Sequence, residues 1–186
     1  MSKFEFTNQT KTVNGAALRR IRYLADGSVG GWLQYEHNLS QEGDAKVFDD
    51  ACVYGDAQVY GHAEVYGRAE VYGRAEICSD AQVYGDAQVY GDAQVYGHAE
   101  IYGDAQVYDN AQVYDNAQVY GDAQVYGDAD VHGRAKVYDD AQVCSDAQVY
   151  DNAQVYARAC VYDNAKVHGD AQVCGDAQVY GDVEIF

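Results

Sequence analysis

The sequence predicts an all-β, parallel solenoid built from six-residue units, and three observations predict it. From Gly43 to Phe186 the chain divides into 24 consecutive hexads with no insertion or deletion. The consensus Gly-Asp-Ala-Gln-Val-Tyr, as at 85–90, 91–96 and 103–108, places Ala and Val two apart, the period of a strand with one face buried. Each Ala-Gln-Val-Tyr is separated from the next by a turn-prone pair such as Gly-Asp, Asp-Asn, Ser-Asp or Gly-Arg. A period of six matches neither 3.6 nor 3.5, so helices are excluded.

Composition agrees. The 186 residues hold no proline, 19 glycines, 19 tyrosines and one tryptophan, with a formal net charge of −18. The apolar share is Ala, Val and Tyr, which suits a repeated core better than a mixed one. No run of about 18 apolar residues is present, so no membrane span is expected. The N-terminus lacks a signal-peptide core, which makes the cytoplasm the expected compartment. A pI near 4.3 argues against direct nucleic-acid binding, which needs a Lys/Arg surface.

The first 42 residues form a separate N-terminal β cap. Phe4–Thr7 and Leu18–Leu24 read as short strands around turns at Asn14-Gly15 and Asp26-Gly27. A solenoid needs such a cap, because its first coil otherwise exposes core and unpaired backbone. Residues 43–186 form the solenoid. Where Gly leaves position one, Asn often arrives at position two, as at 109–110, 115–116, 151–152 and 163–164. Each corner is therefore expected to place either Gly or Asn at positive φ. The last hexad, Gly181–Phe186, has no cap after it in this sequence, and Phe186 takes the Tyr position.

An aliphatic residue with a small residue two places before it, as in Val65 with Ala63 or Val89 with Ala87, resembles the hexapeptide-repeat family. That resemblance implies a left-handed parallel β-helix, triangular in section, with three hexads per coil. Twenty-four hexads then make about eight coils, with residue n stacking on n+18 over about 38 Å. The head segment Gly30-Gly31-Trp32 followed by Asn38-Leu39-Ser40-Gln41-Glu42-Gly43 resembles the start of bacterial and phage-associated proteins of the YdcK-like group, often labelled acyltransferases.

With three hexads per coil, each position gives three columns. The 48 inward Ala and Val/Ile positions are nearly uniform and read as core. The outward Tyr residues form ladders. One runs through Tyr66, Tyr84, Tyr102, Tyr120, Tyr138 and Tyr156, and the next through Tyr54, Tyr72, Tyr90, Tyr108 and Tyr126. The third is interrupted by Cys78, His132 and His168. Such ladders resemble cross-β surfaces and offer an aromatic stripe for a partner. Gln88, Gln106, Gln124 and Gln142 are expected to form amide ladders. Asp86, Asp104, Asp122 and Asp140 share one edge, whose charge should attract a cation or a basic partner. One carboxylate per corner does not make a calcium site.

The five cysteines occupy outward positions; only Cys52 and Cys160 share a column, six coils apart. No disulfide framework and no zinc cluster is expected, which fits a reducing compartment.

Two function classes compete. The sequence favours a non-catalytic, acidic scaffold that presents Tyr/Gln faces and acidic corners to another protein. That partner is a second copy, seated end to end on Phe186 or in another homo-oligomer, or a different protein, for which the acidic corners favour a basic one. The family resemblance instead implies a trimeric acyltransferase using acyl-CoA, for which His62, His98, His132 and His168 are the candidate catalytic residues. A general-base histidine needs a partner and a sheltered pocket. The uninterrupted hexads supply no loop to build one within a single prism, which leaves only a cleft between prisms. On the scaffold reading no cofactor, metal or catalytic residue is expected. An acidic DNA mimic, of the kind a phage uses against host defence, is a further alternative.

Overall fold

The structure, a computed structural model, describes residues 2–186. Its chain forms a parallel β-solenoid headed by a β-hairpin. Strands β1 (Phe4–Val13), β2 (Ala16–Tyr23) and β3 (Val29–Leu33) come first. A short 3₁₀ turn over Glu36–Asn38 follows, then 24 two-residue strands from β4 (Lys46–Val47) to β27 (Glu184–Ile185). Every one of these short strands is positions four and five of a hexad. The turn pair and the inward Ala complete each side of the triangle.

Residue n pairs in parallel with n+18, as Gln88 with Gln106 and Val89 with Val107. Three faces result. Face I begins at β5 (Cys52–Val53), and its eight short strands continue the sheet of β1, β2 and β3. Face II runs from Gln58–Val59 to Glu184–Ile185, and face III from Lys46–Val47 to Gln172–Val173, with eight strands each. The N–H groups at hexad positions two, four and six donate to carbonyls one coil on. Asp86 reaches Gly103 at 2.9 Å, Gln88 reaches Ala105 at 2.9 Å and Tyr90 reaches Val107 at 3.0 Å. Successive coils are thus zipped along all three faces and at most corners.

The core is one continuous column of Ala and Val, fully buried from Ala45 to Val167. It opens toward the last coil, where Val183 is 47% and Phe186 87% exposed. At the other end the head closes it with larger side chains: Phe4, Ile21, Tyr23, Leu33 and Leu39 join the same cluster. β1 and β2 are longer than the short strands expected, because they pair with each other as an antiparallel hairpin over most of their length.

The head also contributes a coil of its own. β3 pairs in parallel with β5, Trp32 opposite Cys52, and Leu39 bridges to Val59 on face II. About nine turns result, one more than the hexads alone provide. The Gly30-Gly31 pair permits this close approach. A Cβ on Gly31 would lie 2.7 Å from the Ala51 carbonyl oxygen, and one on Gly30 would lie 2.6 Å from Ile21 Cγ1. Asn38 then locks the coil. Its amide donates to the carbonyls of Gly55 at 2.9 Å and Ala57 at 2.8 Å, while its oxygen accepts from Tyr35 N–H at 2.7 Å. The head residues that carry the YdcK-like resemblance are therefore joinery.

The corners differ from expectation. The residue at positive φ is always at position one, never the Asn at position two. Asp109, Asp115, Asp151 and Asp163 sit at φ of 58–61°, as do Ser79, Ser145 and Ala157. An Asp there gains a compensating bond: the carboxylates of Asp115, Asp151 and Asp163 accept from the N–H of Gly133, Gly169 and Gly181 one coil on. Asn at position two has a different task. Asn110, Asn152 and Asn164 donate to Asp128, Asp170 and Asp182 of the next coil at 3.0–3.1 Å, replacing a carboxylate–carboxylate contact by a hydrogen bond.

Candidate interaction faces

The ladders follow from the register. With each ring one strand spacing above the next, Tyr rings have no choice but to stack. On face III, Tyr66, Tyr84, Tyr102 and Tyr120 lie 4.8–4.9 Å apart, within 4° of parallel, and the stack continues through Tyr138 and Tyr156. On face I, Tyr54, Tyr72, Tyr90, Tyr108 and Tyr126 repeat this at 4.8–5.0 Å until Cys144 interrupts.

The rings lean across the strand rather than standing free. The hydroxyls of Tyr66, Tyr96 and Tyr138 donate to the Gln at n+16, and those of Tyr54, Tyr60 and Tyr84 to Glu70, Glu76 and Glu100. Gln82, Gln112 and Gln154 thus accept from phenols, while Gln118 donates to Glu100 along its own column. Among the described residues Gln88, Gln106, Gln124 and Gln142 make no side-chain hydrogen bond, so the amide ladder expected of them does not form. Burial within the stack pushes the phenols of Tyr66, Tyr90, Tyr102 and Tyr120 above their ordinary pKa.

The Asp edge beside face I is continuous through Asp86, Asp104, Asp122 and Asp140, with Arg residues on either side. Arg68 pairs with Asp86 at 2.6 Å, and Arg158 pairs with Asp176 at 2.8 Å. The corner carrying His62 and His98 alternates base and acid. His62 Nδ1 lies 3.4 Å from Asp44, and His98 Nδ1 lies 3.9 Å from Asp80. His132 and His168 belong instead to the face II ladder. His132 is sandwiched between Tyr114 at 4.8 Å and Tyr150 at 5.1 Å. His168 stacks on Tyr150 at 4.8 Å, and its Nε2 meets Glu184 at 2.9 Å. Two of the four histidines thus stand on an exposed corner and two replace tyrosines in a stack. Phe186 ends that stack, 6.0 Å from His168.

Among the described residues, no group of three or more His, Cys, Asp or Glu stands where it could hold a metal ion. No helix of the structure is long and apolar enough to cross a membrane. All five cysteines are free thiols. Cys52 is buried although its column faces outward, and burial pushes its thiol pKa up.

That burial reveals what sequence reasoning missed. The β1–β2 hairpin folds over the outer side of face I, where Leu18 packs with Trp32, Cys52 and Tyr54. The turn at Asn14-Gly15 was legible, but nothing local to it encodes which surface its tip meets.

Stacked single-hexad strands, outward aromatic ladders and a continuous Ala/Val core define a β-solenoid repeat protein. A family model described as YdcK Beta solenoid repeat matches the chain four times, over 81–97, 105–121, 111–127 and 117–133. The middle of the chain thus carries YdcK-type repeats. No significant match to a curated protein is found.

Proposed function

We propose that this chain is a non-catalytic, acidic interaction rod that presents its aromatic faces and charged edges to another polypeptide. The observation that carries this reading is the continuity of the Tyr ladders, whose rings are held in parallel stacks and, at Tyr54, Tyr66, Tyr84 and Tyr138, also by hydroxyl bonds to the next coil. A surface so constrained pays little ordering entropy when a partner covers it. The charge supports the same reading: residues 43–186 hold 26 acidic against seven basic side chains, which favours a cationic partner. The last coil, with Val183 and Phe186 exposed, offers a place for a second copy.

Light scattering coupled to size exclusion, over a range of concentrations, tests the oligomeric part. A monomer or a concentration-dependent end-on dimer is expected. Thermal shift with acetyl-CoA tests the catalytic alternative. No saturable stabilisation is expected; a stable trimer that binds acetyl-CoA and loses acyl transfer in His98→Ala would overturn the scaffold reading.

A further inference from the structure

The outer surface of the prism already has one occupant, the chain's own hairpin. Its tip passes the end of the solenoid and descends face I, where Val13 and Leu18 pack on the patch of Trp32, Cys52 and Tyr54. Asn14 donates to the Tyr54 hydroxyl at 2.9 Å. Two cations anchor the hairpin. Arg20 lies over the Trp32 ring at 5.0 Å and pairs with the corner carboxylate of Asp50 at 3.1 Å. Lys11 lies 4.8 Å over the same ring and donates to the Asp50 carbonyl. The recipe is an extended segment with aliphatic side chains on the ring column and cations on the aromatic and acidic groups beside it.

Below the tip the same surface continues without that cover. Tyr90, Tyr108 and Tyr126 repeat the ring column at 4.9 Å. Asp104, Asp122 and Asp140 occupy the hexad position of Asp50, and none of the three makes a side-chain hydrogen bond or ion pair among the described residues. The other faces lack this pairing of uninterrupted rings with uninterrupted acid. On face II, Cys78, His132 and His168 break the rings; on face III, the corner includes His62, His98 and Arg134.

We propose that face I from Tyr90 to Tyr126, with its Asp104–Asp140 edge, is a docking surface for an extended, cationic segment of a partner protein. That segment carries aliphatic residues that seat on the rings and Arg or Lys that reach the edge. It takes up where the hairpin leaves off, and the net charge of the prism draws it in. The proposal rests on the reading of the chain as an interaction rod and names the chemistry of its partner.

The probe is a fluorescent peptide with the sequence of residues 10–22, added to the full-length protein and followed by anisotropy. Saturable binding is expected, weakened at least tenfold by Asp104→Asn with Asp122→Asn, and weakened further by salt. The matched face III change Tyr102→Ser should leave it within twofold, and Tyr108→Ser should weaken it. Should Tyr108→Ser fail to fold, a photo-crosslinker on the peptide reads the site directly, with adducts expected within 85–126. No saturation at millimolar protein, indifference to the Asp changes, or adducts elsewhere would each overturn the docking surface. Acetyl-CoA, measured in parallel, separates the two ideas: a failed peptide without acetyl-CoA binding removes this surface alone, whereas saturable acetyl-CoA binding with acyl transfer removes the scaffold reading itself.

Discussion

The Asn14 side-chain amide donates to the Tyr54 hydroxyl over 2.9 Å, and that hydroxyl donates to Glu70 over another 2.9 Å. One phenol therefore links the hairpin tip to the coil below. Tyr54→Phe keeps the ring and removes the link, at a cost of about 1 kcal/mol. The tip should open more often and expose Cys52, so that thiol should be labelled about fivefold faster in a background where the other four cysteines are Ser. An unchanged labelling rate would mean that apolar packing alone holds the tip.

Asn38 is fully buried and uses both ends of its amide. Asn38→Ala leaves the Gly55 and Ala57 carbonyls and the Tyr35 N–H without their partner. Urea unfolding should show a loss of roughly 2–4 kcal/mol. A loss below 1 kcal/mol would show that water replaces the side chain.

The glycines separate two kinds of strain. At Gly175, φ +70 with nothing near its absent Cβ, Ala should cost only the backbone penalty of about 1 kcal/mol. At Gly31 an added Cβ meets both the Ala51 carbonyl and Val47 Cγ1 at 2.7 Å. Gly31→Ala must push β3 off the first hexad coil, so its denaturation midpoint should fall well below that of Gly175→Ala.

Ala157 holds φ +59, where an alanine is strained and the other corners use Gly, Asp or Ser. Its N–H still meets the Asp139 carboxylate at 3.3 Å, a bond that glycine keeps. Ala157→Gly should raise stability by about 0.5–1 kcal/mol, read as a higher urea midpoint.

Alkali should unfold the head. Tyr23 is buried, donates to the Val47 carbonyl and accepts from its N–H, and its pKa is pushed up to about 12, chiefly by burial. A phenol whose folded pKa exceeds its unfolded value of about 10 contributes stability that is complete below pH 10 and is lost as pH rises toward 12. The amount is roughly 2–3 kcal/mol. Phenolate absorbance and circular dichroism should therefore change together in that window, and Tyr23→Phe should flatten the pH dependence of stability there.

The repeat made most of the fold legible. Ala87 and Val89 announce the buried side of a strand, Tyr90 the outward column, and the constant spacing the n+18 stack. What remained hidden depended on groups far apart in sequence. Asp109 at a left-handed corner looks unfavourable until the tolerance of a short polar side chain is counted, and Asp115 adds a bond to Gly133 one coil on. Gln82 could bond to another Gln or to a phenol; the lean of the Tyr66 ring decides for the phenol. The burial of Cys52 depends on a hairpin tip encoded some forty residues earlier, so no pattern around Cys52 announces it.

The n+18 register also dictates how such a rod changes length. Duplicating or losing three hexads adds or removes one layer, about 4.8 Å of rod, and returns every later residue to its own face. Gaining a single hexad is a different event. It turns everything downstream by a third of a revolution against the hairpin, so a Tyr column once aligned beneath Asn14 would fall on another side. Length in this architecture is therefore counted in whole layers, while single-hexad changes act as rotations that re-dial which edge lies under the head.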